Sequence, residues 1–329
     1  MERLDAFMAR ANALYYATHD PFADFTTAPE ISQAFGEVLG AWAAVSWEAM
    51  GRPDPVILAE AGPGRGTLMA DALRAVAQVA PLFRAALRVH LVETSPRLRA
   101  AQKAVVPDAV WHDRIEDLPA GPLILLANEF LDALPIRQFV RRGDVWSERF
   151  VENGRWIEQP AHSSALPPFT GARRDERESE AVRIFEYRDP ALTQGIGARL
   201  RATPGVALFL DYGPLASGPG DSLQALGHGK PADPLAEPGA ADLTAHVDFT
   251  AFARASGLPA YGPLPQGQFL TRLGLFSRIH RLATTLPPRD GLRMTEAGRR
   301  LAEPDRMGAL FKALALTSPG LPTPAGFEP

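Results

Sequence analysis

The sequence predicts an open α/β sheet, doubly wound, mostly parallel, with helices on both faces. Three observations predict it. Residues 56–59, 88–92, 123–127 and 206–210 form short, largely apolar runs that read as buried strands. Stretches with helical character separate them, which is the pattern of a parallel sheet joined by crossover helices. A glycine-rich turn at residues 62–66 follows the first run and opens a helix, where such sheets bind ligands.

The elements follow in order. Residues 1–50 read mostly as helix: Phe7, Ala11 and Leu14 share one face, and Ile31, Phe35, Val38, Leu39 and Trp42 share another on a helix expected from Glu30 to Met50. Between these helices lies a polar, turn-rich stretch, residues 19–29. The 56–59 strand leads through Glu60 and the glycine turn into a helix at 68–79. The 88–92 strand ends at Glu93, and Ser95-Pro96 starts a helix with proline at its first position. Val110 and Trp111 mark a third strand, 123–127 a fourth and 206–210 a fifth. An insertion separates the last two. Within it, residues 139–156 predict a polar hairpin, since Arg142-Gly143-Asp144 and Asn153-Gly154 are turn signals. Residues 173–188 carry dense charge of both signs and predict a solvated helix. Residues 214–240, rich in Gly and Pro, predict a loop, followed by a helix near 249–256. The period of residues 267–279 suits a strand or a helix, and the proline-rich tail after Thr317 predicts irregular chain. The expected organisation is a helical amino-terminal lid at 1–50, a core at 51–140 and 200–317, an insertion at 141–199 forming a substrate-side subdomain, and a tail at 318–329.

Composition excludes several function classes. The 329 residues suit one large domain or two small ones. A net charge of −4 gives no pull towards a polyanion, so a nucleic acid is not the expected partner. With no Cys there is no disulfide framework, thiolate zinc site or thiol nucleophile. No apolar run approaches the ~20 residues of a membrane span. Glu2 and Asp5 near the amino terminus argue against a signal or transit peptide, so a cytoplasmic protein is expected. No metal is expected, because Asp242, His246 and Asp248 match no metal-ligand spacing.

The strongest local signal is Glu60-Ala61-Gly62-Pro63-Gly64-Arg65-Gly66-Thr67. Glycines permit a tight turn and let a ligand touch main chain, and the following helix start offers free N–H groups. A dinucleotide fold wants G-x-G-x-x-G. Here the spacing is G-x-G-x-G, Thr67 stands at the third glycine position of that pattern, and an acid precedes the turn. This resembles the first motif of S-adenosylmethionine (AdoMet)-dependent methyltransferases, in which the acid holds the methionine end and the glycines admit the adenosyl group. Glu93 ends the next strand, where a carboxylate accepts from both ribose hydroxyls; NAD would use it equally. Asp113, after the third strand, stands where methyltransferases read the adenine amino group, or is simply a solvated strand end.

Further motifs are more specific. They are Tyr15-Tyr16, Asp20-Pro21-Phe22, the run from Asp24 through Thr27-Ala28-Pro29-Glu30-Ile31-Ser32-Gln33, Glu93-Thr94-Ser95-Pro96, Asn128-Glu129-Phe130-Leu131-Asp132-Ala133-Leu134-Pro135, Asp211-Tyr212-Gly213, Asp242-Leu243-Thr244-Ala245-His246-Val247-Asp248-Phe249 and Gln266-Gly267. Together with the glycine turn they resemble the MidA family of class I, Rossmann-like methyltransferases, relatives of the mitochondrial complex I assembly factor. The resemblance runs from about Leu14 to Lys312 and weakens between Arg141 and Arg188. It implies AdoMet as cofactor and methylation of an arginine in a protein, such as a respiratory complex subunit. The loop between Asp20 and Asp24 is short for the family.

On this reading Thr27, Ser32, Glu60, Gly62, Gly64, Gly66, Thr67, Glu93, Thr94, Ser95, Asp113 and Asn128 are the candidate cofactor residues. Glu129 is the candidate contact to the methyl acceptor, with His246 and Asp248 behind it. Structural readings stand beside these. Asn128 would cap a helix beginning at Phe130, Thr27 and Ser32 would serve a helix start, and His246 would be a satisfied loop histidine. Rival functions are a small-molecule methyltransferase, a non-catalytic AdoMet-binding assembly factor and an NAD-dependent oxidoreductase. The sequence does not set the oligomeric state.

Overall fold

The computed structural model describes residues 1–19, 22, 26–161, 166–167 and 182–329. Its centre is a seven-stranded sheet, numbered here within the sheet in chain order: β1 Val56–Ala61, β2 Leu87–Val92, β3 Val110–His112, β4 Leu123–Asn128, β5 Gly205–Tyr212, β6 Ala260–Pro265 and β7 Phe311–Thr317. The spatial order is β3-β2-β1-β4-β5-β7-β6. Neighbours from β3 to β5 are parallel. Only β7 is antiparallel, to β5 on one side and β6 on the other. The winding reverses between β1 and β4, so the crevice beyond their carboxyl ends is where such a sheet takes a ligand.

β1, β4 and β7 are buried along their whole length. Alternate residues therefore feed two different cores. Leu58, Leu91, Ile124, Leu126, Leu208 and Leu210 pack under Gln33–Ala49, Thr67–Val79, Leu275–Ala283 and Pro288–Ala302. Ile57, Leu123, Leu125, Ala207 and Phe209 pack under the helices Ala191–Ala202 and Phe249–Ser256. Each fully buried Leu or Ile contributes about 2 kcal/mol to holding these layers together.

A third cluster lies outside the central sheet. The first helix, Leu4–Thr18, lays Leu4, Phe7, Met8 and Ala11 on Ile136, Val151 and Leu243. Ile136 and Val151 belong to an antiparallel sheet of Glu2–Arg3, Ile136–Arg142, Val145–Glu152, Arg155–Pro160 and Arg183–Arg188.

Several expectations are corrected. Between Ile136 and Arg188 the inserted region supplies four strands of this sheet, and the strands of residues 136–160 make two hairpins rather than one. The charged stretch expected as a helix ends as the strand Arg183–Arg188; residues 173–181 lie outside the described residues. Its side chains pair across the sheet, as Glu186 does with Gln138, and that outweighs its helical composition. The 214–240 loop contains the short strands Gln224–Gly227 and Lys230–Ala232; Gln224–Gly227 pairs with Lys230–Ala232 on one side and with Asp242–Thr244 on the other. Residues 267–279 are helical, as parts of Gln266–Arg272 and Leu275–Ala283. The helix expected from Glu30 is broken at Ser32, whose extended backbone (φ −157°) divides Ala28–Ile31 from Gln33–Ala49. No helix starts at Phe130. Residues 130–135 form a turn, because the N–H groups of Phe130, Leu131 and Asp132 all donate to Asp211 Oδ2, at 3.1, 2.8 and 3.2 Å.

Candidate active site

Glu60 is the last polar residue of β1 and is 2% exposed. Ala61 and the five turn residues 62–66 separate it from the Thr67–Val79 helix, and Gly66 N closes the turn on Pro63 O at 2.7 Å. Gly64 has φ +54°, and a Cβ there would stand 2.6 Å from the Phe22 ring. Phe22 in turn carries the Arg65 guanidinium over its face. The turn is thus packed main chain against aromatic ring, a contact only glycine permits.

This turn forms one wall of a cavity of about 1060 Å³. Thr27, Glu60, Gly62, Gly64, Thr67, Glu93, Thr94, Ser95, Asp113, Asn128 and Glu129 all line it. The cavity then runs on past Tyr16 of the first helix to Arg137, Tyr187 and Asp189 of the inserted region.

Each acid of the cavity is held differently. Glu60 is desolvated, and burial raises its pKa to about 8. Its Oε2 is buried with no hydrogen-bond partner among the described residues. Glu93 accepts from Ser95 N at 2.8 Å, and burial raises its pKa as well. Asp113 is exposed and ion-paired with Arg99 at 2.6 Å. Arg99 also donates to Glu93 O at 2.6 Å and His112 O at 2.9 Å, so it fixes the chain between the two acids.

Glu129 follows β4 in a left-handed conformation, φ +50°, at a cost of about 1 kcal/mol or more for a residue with a side chain. Its N–H donates to Leu210 O at 2.8 Å, and Asp211 secures the next three residues. Glu129 Oε1 accepts from Asn128 Nδ2 and from Ala28 N, both at 3.0 Å. Burial raises its pKa to about 7. Asn128 Oδ1 is buried and unpartnered among the described residues. Glu30, whose carboxylate accepts from the Thr67 hydroxyl at 2.5 Å, ties the 27–31 turn to the glycine loop.

Four sequence candidates lie elsewhere. Ser32 caps the Gln33–Ala49 helix, accepting from Ala34 N at 3.3 Å, and its hydroxyl faces Met294. Gly66 is not in the cavity wall; it sits against the Pro96–Val105 helix. His246 and Asp248 line a second cavity of about 510 Å³. Asp248 Oδ1 is taken up by the Phe249–Ser256 helix start, accepting from Ala251 N at 2.8 Å and from the Ser217 hydroxyl at 2.7 Å. His246 meets the Tyr212 ring edge-on. Conversely, Arg99, which no sequence motif contains, and Asp211, which the sequence offers only within the Asp211-Tyr212-Gly213 motif and without a role, organise the site. The signal for Asp211 was weak: an acid at a strand end, like many others.

The chemistry of the cavity is that of a cation site with a nucleoside acceptor beside it. The Glu60 oxygen with no partner among the described residues fits the ammonium of a methionine moiety, the glycine turn offers main chain, and Glu93 offers a hydroxyl acceptor. With the β3-β2-β1-β4-β5-β7-β6 sheet, this defines a class I AdoMet-dependent methyltransferase. The comparisons agree. A family model for S-adenosyl-L-methionine-dependent methyltransferases matches residues 38–263. The mitochondrial protein arginine methyltransferase NDUFAF7 of Danio rerio is 33% identical, over 91% of this chain and 78% of its own. The Homo sapiens protein of that name is 32% identical, over 92% and 76%. A Burkholderia thailandensis protein crystallised bound to S-adenosyl-homocysteine is 26% identical, with a TM-score of 0.78 over 98% of this chain and 89% of its own. The chain belongs to this AdoMet-dependent methyltransferase family, the MidA group that includes NDUFAF7.

Proposed function

We propose that the protein is a protein arginine N-methyltransferase, with a subunit of a respiratory complex or a similar protein as acceptor, met in the cytoplasm. One observation carries the reading: a carboxylate, Glu129, is held in a strained conformation at the switch point with one oxygen bonded to Ala28 N and Asn128 Nδ2, beside an Asn128 carbonyl that has no partner among the described residues. The named activity of the NDUFAF7 relatives supports it.

On this proposal Glu60 holds the amino group of AdoMet, Glu93 its ribose, and Gly62 and Gly64 its adenosyl portion. Bound there, AdoMet supplies a methyl group on a good leaving group. The protein's part is to present the acceptor. A guanidinium is planar, keeps its charge and offers paired N–H donors. Glu129 and Asn128 Oδ1 give it two acceptors, which orient it as well as bind it. Methylation of a guanidinium nitrogen releases one proton, and a carboxyl with a pKa near 7 is suited to receive it. His246 and Asp248, in the second cavity, hold no step here; they are proposed only as walls beyond the acceptor.

The test uses methyl-labelled AdoMet and a lysate of cells lacking the protein. Labelled methylarginine in a protein is the expected outcome, and a labelled small molecule with a neutral hydroxyl ends the arginine reading. Glu129→Gln keeps the shape and removes the charge. It should leave AdoMet affinity unchanged and lower kcat/KM by about 100-fold, a loss in transition-state stabilisation. Because the ionised form is the one that grips the guanidinium, wild-type kcat/KM should fall as pH drops below about 7.

A further inference from the structure

Gln102 is 0% exposed, on the Pro96–Val105 helix behind the glycine turn. Its carboxamide touches two parts of the cofactor site, the glycine turn and Glu93, and one residue behind it, Trp111. Oε1 accepts from the Trp111 indole N–H at 2.8 Å. Nε2 donates to Gly64 O at 2.7 Å and, over a longer 3.4 Å, to Glu93 Oε2. An indole N–H only donates, and a carbonyl and a carboxylate only accept. Rotating the carboxamide by 180° would therefore set donor against donor and acceptor against acceptor. Trp111 thus fixes which end of Gln102 faces the cofactor.

The third glycine of the motif belongs to the same arrangement. A Cβ at Gly66 would lie 3.0 Å from Val105 Cγ2 and 3.4 Å from both Cα and Cγ of Gln102. With no side chain at Gly66, the helix comes close enough for Gln102 to reach the Gly64 carbonyl. The third glycine serves Gln102 rather than lining the ligand cavity.

We propose that Gln102 is a positioning residue for AdoMet: it orients the Glu93 carboxylate towards the ribose hydroxyls and locks that carboxylate to the glycine turn. Ser95 N occupies Glu93 Oε1, and Gln102 steadies Oε2. A donor on the carboxylate also favours its charged form, the form that accepts from two hydroxyls, against the burial that opposes it. Gln102 touches no reacting atom, so its effect falls on cofactor affinity and on discrimination at the ribose.

The experiment compares S-adenosyl-homocysteine with its 2′-deoxyribose analogue by calorimetry, using the full chain as wild type, Gln102→Met and Glu93→Gln. Met has nearly the shape of Gln but offers neither donor nor acceptor. The Gln102→Met protein should bind S-adenosyl-homocysteine about tenfold more weakly at pH 7, as expected for one hydrogen bond lost to a charged group. Its binding of the deoxy analogue should change much less, so the wild-type preference for ribose shrinks. The pH below which binding weakens should move upward, and kcat at saturating AdoMet should stay the same. A merely structural role would weaken both ligands equally, and that result overturns the proposal. Unchanged affinity and pH profile overturn it too. Glu93→Gln is the internal reference. If it leaves ribose discrimination intact, the Glu93 assignment fails and the Gln102 proposal falls with it. If Glu93→Gln abolishes discrimination while Gln102→Met does not, the Gln102 proposal alone fails. Should Gln102→Met not fold, Trp111→Phe releases the carboxamide from its other end, and a partial loss of ribose preference is then the result required.

Discussion

Glu60 and Glu129 are carboxyl groups with raised pKa values, so each favours the folded state in its neutral form. The sign follows. Between the ordinary value of 4.5 and a folded value near 8, Glu60 loses stabilisation as pH rises, by about 1.4 kcal/mol per pH unit. The ligand-free protein should therefore gain thermal stability from Glu60→Gln at pH 8 and gain none at pH 4. Unfolding scans across this range check it, and a difference that does not grow with pH would remove the desolvation argument. AdoMet should bind Glu60→Gln more weakly. At this scale much of the cavity was legible, because Glu60, Gly64, Glu93 and Glu129 each end a strand or its turn, a position visible in the sequence. The roles of Arg99 and Asp211 were not, because both act largely on main-chain groups, Arg99 on Glu93 O and His112 O and Asp211 on the N–H groups of residues 130–132, and main chain carries no sequence signal. His246 and Asp248 carried the right chemistry, but their side chains face a different cavity.

Helix boundaries separate capping from binding. Ser32 begins Gln33–Ala49 and does not line the cavity. Ser32→Ala should lower stability by about 1 kcal/mol, a cap lost, and leave AdoMet affinity unchanged; weakened affinity would return Ser32 to the cofactor site. The neighbouring turn Ala28–Ile31 is held from two sides, by Ala28 N on Glu129 and by Glu30 on Thr67. Hydrogen exchange at the Ala28 amide should accelerate in Glu129→Ala, and equal rates would show that this bond does not hold the turn. β6 and β7 escaped the sequence reading for different reasons. β6 contains Pro263 and Pro265, tolerable because it is an edge strand. β7 is buried on both faces, so its residues do not alternate, and it contains a lysine whose ammonium is satisfied by Ala309 O and Leu310 O. The parallel strands were legible because each leads directly into a polar or glycine-rich turn.

The whole molecule closes around the cavity through contacts distant in sequence. Asn12 is the clearest. From the first helix its side chain donates to Leu243 O at 2.8 Å and Ala133 O at 3.1 Å and accepts from Leu243 N at 2.9 Å. Asn12→Leu would strand those buried groups and should cost about 2 kcal/mol or more, visible as a lower denaturant midpoint; an unchanged midpoint would mean that the helix docks by its apolar face alone. The placement of β7 has a different kind of consequence, in the order of manufacture. A ribosome releases β1 to β6 before Phe311–Thr317 exists, yet that segment belongs inside the sheet, between β5 and β6. Until it emerges, β5 has an open edge and β6 has no strand to pair with. Native assembly of the sheet therefore waits for that segment, and until it emerges the nascent chain carries an unpaired edge, the state in which chains aggregate. A stop codon after Leu310 should yield insoluble protein, and co-expressing residues 311–329 as a separate peptide is the route by which solubility could return.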